Sequence, residues 1–253
     1  LLDWLAAEFV ASGWSVKHMH RLLVDSAAYR QSTYRRAATE PLPSAAEFDP
    51  DNRLYWSYPR RRLSAEQIRD SLLASAGLLN SQMYGPGVRP ALPPNFSARE
   101  AWKVTEQPAQ RNRRSVYIYA KRNLRYPLLE AFDFPDMHES CAARAETTIA
   151  PQALMLLNSQ FVLESADAFA RRLIAESGSS SDAIVRAAYL TAFGRTPDPE
   201  ELATGVEFLR TQLDAIDAPR SDTAGSKDEA AFVASVGDLC HVLFNSNEFL
   251  YLE

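Results

Sequence analysis

The sequence lacks the short motifs that most directly identify a metal, haem or membrane protein. Its 253 residues include two cysteines and four histidines, and these form no Cys-x-x-Cys, Cys-x-x-Cys-His or His-x-x-x-His spacing. A structural zinc site or a haem attached to this chain is therefore not expected, and we predict no metal and no cofactor here. No apolar run approaches the about 20 residues that a membrane-spanning helix needs, and no repeat of fixed period occurs.

Charge is unevenly divided along the chain, although the net charge is only −5. Residues 164–253 hold 16 acidic and 7 basic side chains, whereas residues 1–163 hold 16 and 20. Within 99–126, eight Arg and Lys accompany two Glu. This basic segment can bind phosphate, sulfate or carboxylate groups, or it can pair with the acidic half of the same chain, which we favour. Because the whole chain is acidic, no nucleic-acid partner is expected.

The apolar periodicity is helical almost throughout, which predicts a mainly α, compact multi-helix domain with long ordered loops over 39–59 and 84–112. One segment departs from this pattern, because β-branched and aromatic residues alternate over 115–120. That alternation predicts a short strand or hairpin near 114–121, with Val116 and Ile118 on one face. Residues 217–229 are polar and are predicted to form a loop.

The charge and the general character of the sequence change near residue 178, which suggests two regions. We predict an N-terminal helical subdomain over 1–177, which contains the central polar cluster, and a C-terminal helical subdomain over 178–253. The two regions could also form one continuous domain.

The central segment 113–144 combines basic, aromatic, acidic and thiol side chains at high density. Its acidic residues Glu130, Asp133, Asp136 and Glu139 recur every three positions. Three interpretations remain open: buried pairing with arginines, which we favour, a general acid and base, and a hard-cation site built from carboxylate oxygens. If the domain is an enzyme, the catalytic candidates are Glu130, Asp133 and Asp136.

The basic side chains of the same segment are the candidate ligand-binding residues. They are Arg113, Arg114, Lys121, Arg122, Asn123 and Arg144. Alternatively, these cations pair with the neighbouring carboxylates, and at least two such contacts are then expected. If those pairs are buried, Arg114→Ala leaves a buried carboxylate without its partner and destabilises the domain.

For the cysteine, histidine and tryptophan residues named next, a functional and a structural interpretation are both open. Cys141 and the nearby His138 form a conceivable thiolate–imidazole nucleophile, but a buried apolar thiol is favoured for Cys141. Trp14, Trp56 and Trp102 could stack on sugars, and anchoring of the core or of loops is favoured for them.

Many short segments, taken in order, resemble one family. They are Leu1–Ala6, Ser12–Lys17, His20–Leu22, Ser26–Ser32, Asp49–Leu54, Pro59–Leu63, Glu66, Ile68–Asp70, Arg113–Tyr117, Phe132–Pro135, Ser140–Cys141, Thr147–Thr148, Pro151–Leu154, Leu157–Ser159 and Leu243–Phe249. Across nearly the whole chain they resemble the PSD-type C-terminal domain of unknown function of planctomycete cytochrome-c-like (PSCyt) multidomain proteins. The chain also begins without Met, in a pattern typical of mid-helix, so we expect it to be part of a longer protein.

The resemblance implies a context but no reaction. It implies an exported, periplasmic or extracellular protein, upstream domains of the same polypeptide as partners, and a c-type haem in an upstream segment. The function expected is that of a structural and ligand-binding module, and the alternative is an enzyme or binding domain for an acidic or sulfated polysaccharide. An exported compartment, implied in this way alone, favours a disulfide between Cys141 and Cys240.

Overall fold

The computed structural model describes residues 1–31, 33, 45–93, 102–217 and 226–252. It divides into two compact units, a smaller one of Leu1–Arg61 with Tyr251–Glu253 and a larger one of Arg62–Leu250. Residue 178, where the sequence suggests a weak boundary, lies inside the larger unit. Residues 39–44 and 94–101 of the predicted loops, and 218–225 of the predicted polar loop, lie outside the described residues.

Within its described residues, the smaller unit has the helices α1 (Leu2–Ala11), α2 (Val16–Val24) and α3 (Ala45–Phe48). The Ser15 hydroxyl accepts a hydrogen bond from the backbone N–H of His18 at 3.2 Å and caps α2, as its position in the sequence predicts. The side chain of His18 contacts Glu8 at 2.8 Å, which ties α1 to α2.

Two short strands, β1 (Arg61–Arg62) and β2 (Tyr251–Leu252), form a two-stranded sheet. The larger unit is helical in its regular parts. Its elements are α4 (Ala65–Ser75), α5 (Pro108–Arg111), a 3-10 turn (Ser115–Tyr117), α6 (Pro127–Ala131), α7 (Ala150–Asn158), α8 (Gln160–Ser177), α9 (Ser181–Phe193), α10 (Pro199–Asp217), α11 (Ser226–Phe244) and α12 (Asn247–Leu250). The mainly α fold class is therefore confirmed.

The core is formed chiefly by the long helices α8 to α11, in which α8 packs against α9 and α11, and α10 against α9 and α11. Phe169 of α8 and Phe244 of α11 are fully buried and stack at 5.6 Å between ring centroids. Full burial of one such side chain stabilises a fold by about 1.5–3 kcal/mol. The helix α4 adds a second layer by packing against α6, α8 and the 3-10 turn.

Local capping explains why these helices begin where they do. Ser64 and Gln67 form a reciprocal capping box at the start of α4. Asp198 and Glu201 likewise exchange backbone hydrogen bonds of 2.8 Å at the start of α10. Both starts follow from the sequence, because the groups involved are three residues apart.

The predicted strand over 115–120 is wrong. Residues 115–117 form a 3-10 turn, closed by Tyr117 N–H to the Arg114 carbonyl at 2.9 Å. The extended part shrinks to an isolated parallel bridge between Val88 and Ile118. The turn forms because a carboxylate of α4, described below, binds both the N–H and the hydroxyl of Ser115. Among the described residues, no helix is long and apolar enough to cross a membrane.

Candidate functional site

The first part of the site is a buried arginine on the inner face of α4. Arg69 is 1% exposed, and its guanidinium donates to the carbonyls of Arg111 at 2.8 Å and Arg113 at 3.0 Å and to the Ser115 hydroxyl at 3.2 Å. Burial lowers the pKa of this guanidinium, although Tyr126 and Asp70 oppose the shift. The helix thereby holds the irregular segment 111–115 against the core.

Asp70, the next residue of α4, completes this attachment. One of its carboxylate oxygens accepts from both the backbone N–H and the hydroxyl of Ser115, each at 2.7 Å. The same oxygen lies 3.8 Å from Arg69, so Asp70 also provides a nearby countercharge. Two adjacent residues of one helix thus fix the backbone of the 3-10 turn.

The second part of the site is Arg113, which is also 1% exposed. Its guanidinium donates to the carbonyl of Gln82 at 3.3 Å, to that of Pro86 at 3.0 Å and to that of Tyr84. The same group lies 3.8 Å from the ring centroid of Tyr117. Arg113 is therefore a structural brace for the loop 82–86 and is not accessible to a ligand, contrary to its candidacy as a ligand-binding residue.

The third part of the site is a polar network at the start of α4. Asp133 has a backbone φ of 63°, and its carboxylate accepts from Arg62 at 2.6 Å, from the N–H of Thr147 at 2.9 Å and from the hydroxyl of Thr147 at 2.8 Å. Gln152 donates to the same hydroxyl at 3.2 Å. Burial alone would raise the pKa of Asp133, but the bonds from Arg62 and Thr147 outweigh it and lower the pKa below its ordinary value. A carboxylate held in this way is a poor general acid near neutral pH.

Arg–carboxylate pairs do form at three of the predicted residues, but their partners are not the expected ones. Asp133 binds Arg62, Glu130 binds Arg125 at 2.5 Å, and Arg144 binds Glu66 through two hydrogen bonds of 2.7 and 2.9 Å. Each of these contacts joins a predicted residue to one outside the predicted set. Asp136 and Glu139 are exposed, and Asp136 accepts from the backbone N–H of His138.

We expect Asp133→Asn to lower the free energy of unfolding at pH 7 by about 1–3 kcal/mol, because it removes the charge that Arg62 binds. Asn tolerates a positive φ, so the backbone is not strained further. Since the folded state lowers the pKa of Asp133, its contribution is fully present above the ordinary carboxyl pKa of about 3.9 and is lost as the pH falls through the folded value.

Urea unfolding of the wild type and of this variant between pH 2 and 8 measures the effect. The difference should be constant from pH 5 to 8 and should shrink below about pH 4. Glu130→Gln is the control, because its pair with Arg125 is largely solvated and should contribute less than about 1 kcal/mol. An equal cost for both variants, or a cost for Asp133→Asn that is independent of pH, would contradict the assignment.

Three exposed polar residues of the candidate set lie on two turns of the segment 113–144. Arg122 and Asn123 are the two central residues of a tight turn, which is closed by the N–H of Leu124 and the carbonyl of Lys121 at 3.2 Å. Arg114 is exposed at the start of the 3-10 turn. In the described part of the chain the side chains of Arg114, Arg122 and Asn123 bind no other group, whereas Lys121 has a partner.

The two cysteines are free, so the structure does not contain the predicted disulfide. Cys240 is fully buried in α11, where burial raises the pKa of its thiol, whereas Cys141 lies on an exposed loop. The buried thiol favoured for Cys141 is therefore wrong. Trp102 is buried and donates its Nε1–H to the carbonyl of Pro90 at 2.7 Å, as expected of an anchor. Among the described residues, no three His, Cys, Asp or Glu side chains are placed to hold a metal ion.

Sequence reasoning did not single out Arg62, Arg69, Asp70 or Ser115 as site residues. A signal for Arg69 was present, because it directly follows Ile68 on the apolar stripe of α4 and so lies at the edge of the buried face. Most of the segments that carry the family resemblance between residues 59 and 152 contribute a residue to these networks, for example Arg62, Arg69 and Asp133.

The fold and the site together define a mainly helical domain in which buried arginines of α4 and its neighbours hold long irregular segments in place. A family model described as PSD1, a protein of unknown function (DUF1553), matches residues 1–209. This match covers more than half of the 253 residues, so the chain belongs to the PSD1 family. No curated protein and no solved structure matches the chain.

Proposed function

We propose that this domain is a non-catalytic structural and binding module, and that its exposed basic turns bind an anionic polysaccharide. The observation that supports the proposal is a separation of roles among the polar residues. Asp133, Glu130 and Glu66 are each engaged by an arginine, whereas Arg114 and Arg122 are exposed and bind no protein group in the described part of the chain. Because Glu130 and Asp133 are engaged by arginines while Arg114 and Arg122 are free, the segment suits the binding of anions better than acid–base catalysis by these two carboxylates.

The charge of the surrounding segment supports an anionic ligand. Between residues 102 and 126 there are seven Arg and Lys and one Glu. Four of these cations are engaged by the protein, namely Lys103, Arg113, Lys121 and Arg125. Sulfate and carboxylate groups accept charge-assisted hydrogen bonds from arginine, often in bidentate form.

The double variant Arg114→Ala/Arg122→Ala tests this proposal. We expect the dissociation constant for a sulfated glycan to rise about tenfold or more, because each charge-assisted hydrogen bond contributes about 1.5 kcal/mol or more. The free energy of unfolding should not change by more than about 0.5 kcal/mol. Retention on an immobilised sulfated glycan in a salt gradient, with titration calorimetry, measures the effect.

The matched control is Arg171→Ala/Arg210→Ala, which removes the same charge from exposed pairs on α8 and α10. Its retention should equal that of the wild type. If both double variants lost retention equally, retention would depend only on the net charge of the protein and not on Arg114 and Arg122. If the wild type were not retained at low salt, the binding role would be refuted.

We extend the proposal to the context that the resemblance implies, a domain of an exported multidomain protein with a haem-binding segment upstream. The full open reading frame should then encode a leader peptide and a Cys-x-x-Cys-His motif before this domain, and a reading frame without either would contradict it.

A further inference from the structure

The loop 82–88 holds an aromatic residue in a strained conformation. Tyr84 has a backbone φ of 63°, and Gly85 follows it at 91°. The left-handed region is disfavoured for a bulky side chain, and such strain persists only where the surroundings enforce it. Here the guanidinium of Arg113 donates hydrogen bonds to the carbonyls of Gln82, Tyr84 and Pro86.

Two further contacts fix the same loop. The backbone N–H of Tyr84 donates to the hydroxyl of Tyr117 at 2.7 Å. A Cβ on Gly87 would lie 3.4 Å from the carbonyl oxygen of Tyr117, so the loop approaches the following segment closely. The backbone of Tyr84 is therefore held from several sides.

The side chain that results from this bracing points to solvent. Tyr84 is 78% exposed and its neighbour Met83 is 57% exposed. Burial of the Tyr84 ring consequently does not offset the strain of its backbone. Strained backbone that the surrounding structure enforces, as Arg113 does here, clusters at functional sites.

A basic and aromatic pair lies further along the same loop segment. The guanidinium of Arg89 lies 4.7 Å from the ring centroid of Tyr119, and both residues are exposed. Their backbones are joined through Val88, whose carbonyl accepts from the N–H of Tyr119 at 2.8 Å. The segment thus carries an exposed ring at Tyr84 and, five positions later in the sequence, an exposed cation at Arg89.

We propose that Tyr84 is a stacking platform for a sugar ring of an anionic polysaccharide and that Arg89 binds a carboxylate or sulfate group of the same chain. This inference rests on the proposed function and assigns it a binding surface. The apolar face of a pyranose ring packs on an aromatic ring, while its charged substituent requires a cation at the edge.

The variant Tyr84→Gly tests the inference, because glycine removes the ring and relieves the positive φ. We expect the dissociation constant for chondroitin sulfate to rise about three- to tenfold, with a melting temperature equal to or above that of the wild type. The matched control is Tyr55→Gly, since Tyr55 is also exposed, at 64%, and also has a positive φ, of 53°. Its affinity should not change.

Titration calorimetry with chondroitin sulfate, inorganic sulfate and single-stranded DNA separates the outcomes. If the wild type binds the glycan and Tyr84→Gly binds it equally well, the stacking role is wrong while the binding module stands. If the wild type does not bind the glycan, the proposed function itself fails. Tighter, Tyr84-dependent binding of the oligonucleotide, or binding of free sulfate as tight as that of the glycan, would overturn the assignment of a sugar ligand.

Discussion

Replacing Arg69 by methionine is expected to lower the free energy of unfolding by about 3–5 kcal/mol. Methionine preserves most of the volume, so the loss reflects the hydrogen bonds and not a cavity. The carbonyls of Arg111 and Arg113 and the hydroxyl of Ser115 would lose a donor that is itself only 1% exposed. Urea unfolding at pH 7 measures the change.

A suitable control for Arg69→Met is Arg171→Met. Arg171 forms an exposed pair with Asp167 one helical turn away, and such pairs contribute about 0.3–0.5 kcal/mol. A cost for Arg69→Met of the same small size would show that the segment 111–115 is held by other contacts.

The second large effect is expected for Arg113→Ala, at about 3 kcal/mol, because three carbonyls lose a charged donor and the contact with the Tyr117 ring is lost. The adjacent Arg114→Ala is the matched control. Arg114 is exposed and unpaired in the described part of the chain, so its removal should cost less than about 0.5 kcal/mol.

This pair of variants corrects an expectation from the sequence, which assigned the destabilising role to Arg114. Comparable losses in both variants would mean that Arg113 is not the brace of the loop 82–86. Because Arg69 binds the carbonyl of Arg113, the double variant Arg69→Met/Arg113→Ala should show a coupling energy of about 0.5 kcal/mol or more.

The helical part of the fold was predictable because its signals are local. In the capping pairs Ser64 with Gln67 and Asp198 with Glu201, the two partners are three residues apart, so one short segment of sequence contains the whole interaction. The break between α11 and α12 is local as well, because the side chains of Asn245 and Ser246 bind carbonyls within one turn.

The segment 115–120 was not predictable, because distant residues determine its conformation. Alternating β-branched and aromatic residues favour a strand, but Asp70 binds Ser115 from 45 positions away in the chain. These bonds hold the backbone in a 3-10 turn instead of a strand, and Val116 is 71% exposed. The hydrogen bonds between Asp70 and Ser115 therefore outweigh the local strand propensity of this segment.

The composition of the site was predicted better than its pairing. The acidic and basic residues of 113–144 do form ion pairs, but Asp133 finds Arg62 at a separation of 71 residues. The role of Arg113 was out of reach for a different reason, since its partners are backbone carbonyls and a count of side-chain charges does not include them.

The central claim is that buried polar residues hold the fold while exposed ones bind the ligand, and one paired measurement tests it most directly. The free energy of unfolding and the affinity for a sulfated glycan would be measured for Asp133→Asn and for Arg122→Ala. We predict that Asp133→Asn loses stability with unchanged affinity, and that Arg122→Ala loses affinity with unchanged stability. If Asp133→Asn weakened glycan binding in a fully folded protein while Arg122→Ala left it intact, the account would be contradicted.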